Sequence, residues 1–252
     1  MDNPFDAATP AYARVRPTYP ERAIDLVLAA PNRSVRDVVD LGAGTGKMAL
    51  ALAARGLHVT AVEPAAAMRA QLLAARAASA SATPGNTGWI HDVDATAEAT
   101  GLPAAGADLV VSAQAWHWFD GAAAGSEAAR LLRPGGALAI VFNQMDVSDP
   151  WIHRLTRIMR SGDVHRVDAP PTVGPDLPRP RVEVVRWEEE TTPEELMELA
   201  TTRSSYLRSD AATRAHMQAN LRWYLHEHRG LAPGQCVEIP YLTFVWTTRP
   251  PD

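Results

Sequence analysis

The sequence is poor in cysteine and lysine, and both shortages exclude kinds of site. Cys236 is the only cysteine in 252 residues, which excludes an internal disulfide and a zinc cluster of several cysteines. Its apolar neighbours Val237 and Ile239 predict that it is a packing residue. Lys47 is the only lysine, the arginines are scattered, and the formal net charge is −5. Without a basic cluster, a nucleic-acid partner is disfavoured.

Long apolar runs are also missing. No stretch reaches the ~20 residues that span a bilayer. The first four residues, MDNP, have neither the basic region nor the apolar core of a signal peptide. We therefore expect a soluble, cytoplasmic protein without a membrane partner, either a monomer or a homodimer. A hydrophobic fraction of 46% with 21% charged residues is ordinary for a globular chain of one α/β domain.

The first half of the chain alternates short β-forming runs with alanine-rich stretches, which predicts a parallel sheet covered by helices. The predicted strands are Val35–Leu41, Leu57–Val62, Trp89–Val93, Ala107–Ala113 and Ala137–Phe142. The predicted helices are Lys47–Arg55, Ala65–Ala78 and one that ends at Leu132, before a turn over residues 133–136.

The second half predicts two more strands of the same sheet and a helical insertion. The strands are Arg181–Glu189 and Val237–Thr247, and the helices are Pro150–Arg160, Thr192–Leu207 and Ala211–His228. We expect a single domain over residues 1–252. It would consist of a ligand-binding core over 35–143, a substrate-side insertion with one strand over 144–235, and a final strand over 236–248.

The segment 38–47, VVDLGAGTGK, predicts a strand, a turn with three glycines and the start of a helix. Glycines let a ligand approach the backbone closely, and a helix N-terminus offers unpaired N–H groups. A Walker A loop would need glycine in place of Leu41 and serine or threonine in place of Met48, so nucleoside-triphosphate binding by this loop is excluded. A nicotinamide fingerprint would need glycine in place of Lys47, which makes that ligand the weaker alternative.

Two acidic residues flank this turn. Asp40 precedes the first glycine, where it can hold the loop and lie near a ligand ammonium. Glu63 ends the next predicted strand, about 20 residues beyond the loop, where it can accept hydrogen bonds from two ribose hydroxyls. The ribose of NAD would use the same acid, so Glu63 alone does not discriminate between the ligands.

These residues resemble the motifs of a known family. Residues 40–46, DLGAGTG, are similar to the D-x-G-x-G-x-G motif of class I S-adenosylmethionine (SAM)-dependent methyltransferases, and Glu63-Pro64 with Met68 is similar to the family's second motif. Residues 12–20 and 107–120 resemble the YxxxRPxYP leader and the HWF motif of a subgroup that includes proteins like trans-aconitate methyltransferase. The resemblance is strong over about residues 10–143 and looser beyond.

The resemblance implies a Rossmann-like, doubly wound α/β fold with a mostly parallel seven-stranded sheet and a helical lid in the C-terminal half. It also implies SAM as cofactor, S-adenosylhomocysteine as product and no metal. The residues it places at the cofactor are Tyr12, Arg16, Asp40, Gly42, Ala43, Gly44, Glu63, Pro64, Met68, Ala97, Glu98, Gln114 and Ala115. Asp94 and Ala95 replace Ala97 and Glu98 at the adenine edge if the loop has a different register.

His117 is the candidate acid or base of the HWF motif, although its two tryptophan neighbours also suit a packing role. Trp118, Arg203, Ser204 and Tyr206 are the predicted substrate contacts, with a solvated helix face as the alternative. We expect methyl transfer to a small-molecule acceptor, and the subgroup resemblance favours a carboxylate or hydroxyl oxygen. The alternatives are an NAD(P)-dependent oxidoreductase and a non-catalytic binding module with the SAM fold.

Overall fold

The computed structural model describes residues 10–82, 88–161 and 165–251. Its strands form one seven-stranded sheet with the order β3-β2-β1-β4-β5-β7-β6. The strands are β1 (Asp37–Leu41), β2 (His58–Val62), β3 (Trp89–Val93), β4 (Ala107–Ala113), β5 (Leu132–Met145), β6 (Arg181–Thr191) and β7 (Val237–Thr248). β3, β2, β1, β4 and β5 pair in parallel, which confirms the predicted fold class.

Helices connect these strands. They are α1 (Pro10–Val15), α2 (Glu21–Ala29), α3 (Lys47–Ala54), α4 (Ala66–Ala82), α5 (Gly121–Leu131), α6 (Pro150–Ile158), α7 (Pro193–Thr201), α8 (Ser204–Leu207) and α9 (Ala211–Arg222). A 3₁₀ turn covers Trp116–Trp118, and a π-helix over Trp223–His228 continues α9. No helix in the described ranges is both long and apolar enough to cross a bilayer.

The chain divides into two compact units, which we describe separately. The sheet unit comprises the described residues within 18–142, 165–185 and 243–252, and the helical unit those within 1–17, 143–164 and 186–242. In the sheet unit, side chains of α2, α3 and the central strands form one apolar core that includes Ile24, Leu52 and Val111. In the helical unit, Leu155, Leu199 and Leu221 belong to a second core.

The strand order reverses between β1 and β4, which lie side by side although two strands separate them in sequence. β1 is followed by the glycine turn and α3 on the way to β2, whereas β4 is followed by the 3₁₀ turn and α5 on the way to β5. In open α/β sheets, ligands bind outside the carboxyl ends of the strands at such a switch point. We therefore expect a ligand to bind at the loops after Leu41 and Ala113.

Several predicted boundaries differ from the structure. β5 begins at Leu132, because residues 133–136 form an irregularity within the strand and not a separate turn: Ala107 pairs with Leu132 and Leu109 with Ala137. The helix predicted over Thr192–Leu207 breaks between α7 and α8, where Arg203 has an extended backbone (ψ 144°). The helices α1 and α2 were not predicted from the sequence.

Cys236 is a further correction, because the structure places it on the surface and not in the core. It precedes β7 and lies outside the alternation that buries Ile239 and Tyr241. Burial along a strand does not extend to the residue before it, so the apolar neighbours were a poor guide.

A close backbone approach fixes one helix against the segment that precedes β6. A Cβ at residue 125, inside α5, would lie 1.8 Å from the carbonyl oxygen of Val173, and a Cβ at residue 121 would lie 2.5 Å from that of Thr172. No side chain fits either gap. The absence of a Cβ at Gly125 is thus a packing requirement, even though glycine is a weak helix former.

We expect Gly125→Ala to lower the free energy of unfolding by about 2 kcal/mol or more, because the clash involves backbone and cannot relax through a rotamer. Helix propensity alone predicts the opposite sign, a gain of about 1 kcal/mol. Urea unfolding of the variant and of Ala123→Gly, on the exposed face of α5, would separate the two effects. A Gly125→Ala protein as stable as the parent would contradict the close approach.

Candidate functional site

The glycine turn is fixed to the end of the neighbouring strand by backbone hydrogen bonds. The amides of Gly42 and Ala43 both donate to the carbonyl of Val62, at 2.9 and 3.0 Å. The three glycines of the turn have positive φ, and Gly46 directly precedes α3. The backbone of residues 42–46 is therefore held in one shape before any ligand contributes.

Glu63 holds the same turn through its side chain. Its carboxylate accepts hydrogen bonds from the amides of Gly44 and Ala65, both at 2.9 Å, while its own amide donates to Val93 at 3.1 Å. The residue is only 7% exposed. Each oxygen of an ionised carboxylate has two lone pairs, so these bonds leave capacity for a ligand hydroxyl. Glu63 thus acts as a structural tie and remains a competent ribose acceptor.

Asp40 is buried at the end of β1. Neither carboxylate oxygen has a hydrogen-bond partner of good geometry in the described part of the chain. Burial, and secondarily the charge of Glu63, raises the pKa of Asp40 to about 7, and the Ala49 amide offsets only part of this effect. Among the described residues, this buried carboxylate is therefore an electrostatically incomplete site, unlike that of Glu63, which two amides hold. A ligand with positive charge next to the glycine turn would complete it.

The loop after β4 lies directly against the glycine turn. A Cβ at residue 42 would lie 2.6 Å from the Cβ of Ala115 and 2.8 Å from the ring of Phe119, so only glycine fits there. Gln114 has a left-handed backbone (φ 60°), and its amide donates to Val141 at 2.8 Å. Strain of this kind in a non-glycine residue is typical of functional loops. The structure therefore brings Gln114 and Ala115 to the same edge of the sheet as Gly42.

Aromatic rings and two histidines follow this loop. His117 lies 5.1 Å from Trp118 and 6.0 Å from Phe142, measured between ring centroids. His165 stacks on Phe142 at 3.8 Å, and Phe244 lies 6.2 Å from His165. His117 and Trp118 are exposed, whereas Phe142 and Phe244 are buried. We call these five residues the aromatic wall; its two imidazoles are of a side-chain type that can transfer protons or contact anions near neutral pH.

The loop after β3 contains both candidate pairs for the adenine edge. Asp94 pairs with Arg69 at 2.7 Å, and Arg69 also donates to the carbonyl of Glu63 at 2.8 Å. Ala97 is buried, and the Glu98 carboxylate accepts from the Asp120 amide at 3.0 Å. Both pairs therefore lie on ordered backbone, and the register of the adenine contact stays a prediction.

The remaining cofactor candidates divide between the two units. In the sheet unit, Met68 is buried with its sulfur 3.5 Å from the point where a Cβ of residue 44 would lie, and Pro64 is exposed. In the helical unit, Arg16 donates to the side chain and carbonyl of Thr202, at 3.0 and 2.8 Å. Tyr12 belongs to α1, and its side chain lies outside the described part of the chain.

The predicted substrate residues of the helical unit lie around the break between α7 and α8. Ser204 begins α8, and the ring of Tyr206 carries Arg214 at 5.4 Å. Burial raises the pKa of Tyr241 to about 12, and the positive charges of Arg203 and Arg16 oppose that rise. The structure thus brings Arg16 and Arg203 to the same buried tyrosine, a proximity that their separation in sequence concealed.

Two residues of the sheet unit escaped sequence reasoning. Arg69 braces the carbonyls of Glu63 and Pro64, and its only sequence signal is a position one turn into the helix after Glu63-Pro64. His165 joins the aromatic wall from a segment far from the motifs, and nothing in its neighbourhood in sequence points to a site.

Comparisons with known proteins decide the family. Residues 39–140 match the family described as "Methyltransferase domain". An uncharacterized methyltransferase of Mycobacterium tuberculosis strain H37Rv is 38% identical over 248 residues, covering 96% of this chain and 94% of the relative. The chain belongs to the SAM-dependent methyltransferases. The enzyme class predicted from the glycine turn is confirmed.

Solved structures agree with this methyltransferase fold. A structure assigned as a type II methyltransferase of Anaeromyxobacter dehalogenans has a TM-score of 0.68 and 25% identity, covering 93% of this chain and 97% of that one. Phosphoethanolamine N-methyltransferase 2 of Haemonchus contortus, solved in complex with SAM, has a TM-score of 0.54 and 16% identity. The alignment covers 98% of this chain and 57% of the Haemonchus protein, and it supports only a shared fold.

The residues of the methyltransferase site fit SAM. The cofactor carries a positive sulfur and an ammonium group, and the site offers two buried acids, Asp40 and Glu63, of which the first has unpartnered oxygens. The close approach at Gly42 and the fixed amides of the turn suit a ligand that contacts backbone. Among the residues that the structure describes, no group of three His, Cys, Asp or Glu side chains could hold a metal ion.

The raised pKa of Asp40 makes stability depend on pH. The folded protein holds this proton up to about pH 7, whereas the unfolded chain releases it near 3.8, so stability falls as pH rises between these values. Relative to Asp40→Asn, we expect the parent protein to lose about 3 kcal/mol of unfolding free energy between pH 5 and pH 8 without ligand. Urea unfolding at both pH values measures it; parallel pH profiles of the two proteins would contradict the shift.

Proposed function

We propose that this methyltransferase acts on a small-molecule acceptor through an oxygen nucleophile, a carboxylate or a hydroxyl. The observation that carries the proposal is the aromatic wall, where His117 and His165 flank Phe142. An imidazole can take a proton from a hydroxyl near neutral pH, and its protonated form attracts a carboxylate. The resemblance of residues 12–20 and 107–120 to proteins like trans-aconitate methyltransferase supports the same acceptor chemistry.

SAM, when bound, supplies a methyl group already activated by its positive sulfur. The protein then has to position the acceptor and exclude water more than to activate it. In the proposed arrangement, the backbone of Gly42, Ala43 and Gly44 contacts the methionine portion and Glu63 accepts from the ribose. Gln114 and Ala115 lie beside the sulfonium. Asp40 balances positive charge from its buried position without a hydrogen bond of its own.

The remaining assignments are part of the same proposal. Ala97 and Glu98 line the adenine, with Pro64 and Met68 next to the ribose. Trp118, Arg203, Ser204 and Tyr206 are the proposed acceptor contacts, and Tyr12 and Arg16 are proposed cofactor contacts. The whole chain acts as a single methyltransferase domain in which residues 144–235 form the substrate-side insertion.

Glu63→Gln is the sharpest test of cofactor binding. The amide keeps one acceptor oxygen but removes the charge and places an NH₂ group against an amide donor. We expect the affinities for SAM and S-adenosylhomocysteine to fall at least about tenfold, as for the loss of a charged hydrogen bond. Isothermal titration calorimetry measures both, with Glu21→Gln on exposed α2 as the matched control and NAD as a non-binding reference. Unchanged SAM affinity in Glu63→Gln would disprove the ribose role.

The His117→Gln variant tests whether the acceptor is a carboxylate or a hydroxyl. A carboxylate nucleophile needs no base, so kcat should stay within a few-fold of the parent. A hydroxyl acceptor should lose about 10²–10⁴-fold in kcat, together with its pH dependence near neutrality. S-adenosylhomocysteine release with panels of carboxylic acids, alcohols and amines measures this, with His91→Gln on the exposed edge strand β3 as control. Turnover with amines alone would reject the oxygen nucleophile.

A further inference from the structure

A cavity with polar and apolar lining residues lies within the helical unit, and none of these residues belongs to the site described above. Its volume is about 420 Å³ and it opens to solvent. The polar side chains around it come from α6, the turn after α6, and α9. They are Arg154, Arg157, Arg160, Thr213, His216 and Asn220. We call it the arginine cavity.

The charge of this cavity is opposite to that of the protein. The formal net charge of the chain is −5, yet no acidic side chain is among the described residues that line the cavity. Neither α6 nor α9 contains aspartate or glutamate. Three guanidinium groups around one concave volume create a local positive potential that attracts anions, and cavity walls focus this field.

The acidic residue Asp210 interacts electrostatically with Arg160 of the cavity. Its carboxylate caps α9 by accepting from the Thr213 amide at 2.7 Å. That bond is the main cause of its lowered pKa, to which the charge of Arg160 also contributes. With one capping carboxylate and three arginines, the described residues around the cavity have a net positive charge.

The attraction of cations to a helix C-terminus explains only part of this arrangement. Arg157 lies in the last turn of α6, where the helix dipole favours it. Arg154 lies earlier and is held over the rings of Trp223 and Tyr224, at 5.7 and 5.3 Å. His216 and Asn220 come from another helix, so a dipole at the end of α6 does not account for them.

The backbone around the cavity departs from regular geometry at two points. Arg160 has a left-handed conformation, φ 50°, which is unusual for a residue with a long side chain. The π-helix over Trp223–His228 follows α9 directly and supplies the rings under Arg154. Arg160 closes α6 in the left-handed conformation that commonly ends a helix, with its amide donating to Arg157 and the Ser161 amide donating to Thr156. The π-helix is the rarer feature of the two and is frequent at functional sites.

We propose that the arginine cavity binds the phosphoryl group of a small ligand, such as a phosphate monoester or a diphosphate. A phosphomonoester carries nearly two negative charges at neutral pH and three acceptor oxygens, whereas a carboxylate has one charge and two oxygens. Arginine forks bind phosphate in bidentate geometry, which matches a site with three of them. The volume suits a small organic ligand.

Isothermal titration calorimetry with inorganic phosphate and pyrophosphate tests the proposal on the full chain. We expect one-to-one binding that weakens with salt, tighter for pyrophosphate than for phosphate and tighter for both than for citrate. Arg157→Gln should weaken pyrophosphate binding about tenfold or more, as for the loss of a charged hydrogen bond. Arg222→Gln, an exposed arginine of α9 outside the lining, is the matched control and should bind like the parent.

Arg160→Gly separates a ligand-binding role from a structural one. Glycine accepts the left-handed backbone, so the melting temperature should not fall, while pyrophosphate affinity should drop with the lost guanidinium. A lower melting temperature together with full pyrophosphate affinity would overturn the assignment of Arg160 as a ligand-binding residue.

The other outcomes are equally decisive. Absence of phosphate and pyrophosphate binding, or binding unchanged in Arg157→Gln, would overturn the proposal of a phosphoryl site. Citrate binding as tightly as pyrophosphate would show that the cavity recognises negative charge and not a phosphoryl group. These readouts do not involve methyl transfer, so the inference stands or falls separately from the proposed function.

Discussion

The bidentate grip of one buried carboxylate is the constraint on which the cofactor site depends. Glu63 leaves the end of β2 and binds the amide of Gly44 on one side and that of Ala65 on the other. The turn after β1 and the start of α4 are thereby tied to a common point. The shape of the glycine turn comes from this tie and from the hydrogen bonds of the Gly42 and Ala43 amides to the Val62 carbonyl.

Asp40 is the second acid of the site, and its ionised form is destabilised there. Burial, and secondarily the nearby charge of Glu63, raises the pKa of Asp40. A protein selected for stability alone would replace such an acid by a neutral residue. Retention of the unpartnered Asp40 carboxylate beside Glu63 and the backbone cradle makes sense for a cationic ligand, whose arrival relieves the repulsion as well as forming contacts. Binding and charge neutralisation are then one event.

Much of this site could be read from the sequence because its determinants are local. A strand covered on both faces shows a nearly continuous apolar run, so Ala107–Ala113 was predicted with its observed bounds. The bounds of the edge strand Trp89–Val93 were also predicted. The glycine turn and Glu63 are linked by a spacing that the strand–helix–strand unit imposes. Even α2, which the sequence analysis missed, carried a signal in Pro20, Glu21 and the buried stripe of Ala23, Ile24 and Val27.

The features that the sequence did not predict depend on contacts between residues that lie far apart in the chain. His165 reaches Phe142, and Arg16 reaches Thr202, only because distant segments fold together. The exposure of Cys236 and the break at Arg203 depend on where elements end, and apolar periodicity marks such boundaries poorly. The arginine cavity combines two helices whose positive charges, taken singly, are those of an ordinary solvated face.

The loop after β4 has a consequence for how this scaffold can change. The indole nitrogen of Trp116 donates to the carbonyl of Thr172 at 2.9 Å, and the next residue, Val173, fills the space left by Gly125. The 3₁₀ turn, α5 and the segment around residue 172 are consequently interlocked by the Trp116 side chain and by close backbone contacts. Natural divergence or loop grafting would have to exchange them together, as one cassette. New acceptor specificities should therefore arise from the exposed positions of this cassette, such as Trp118, before they arise from its interior.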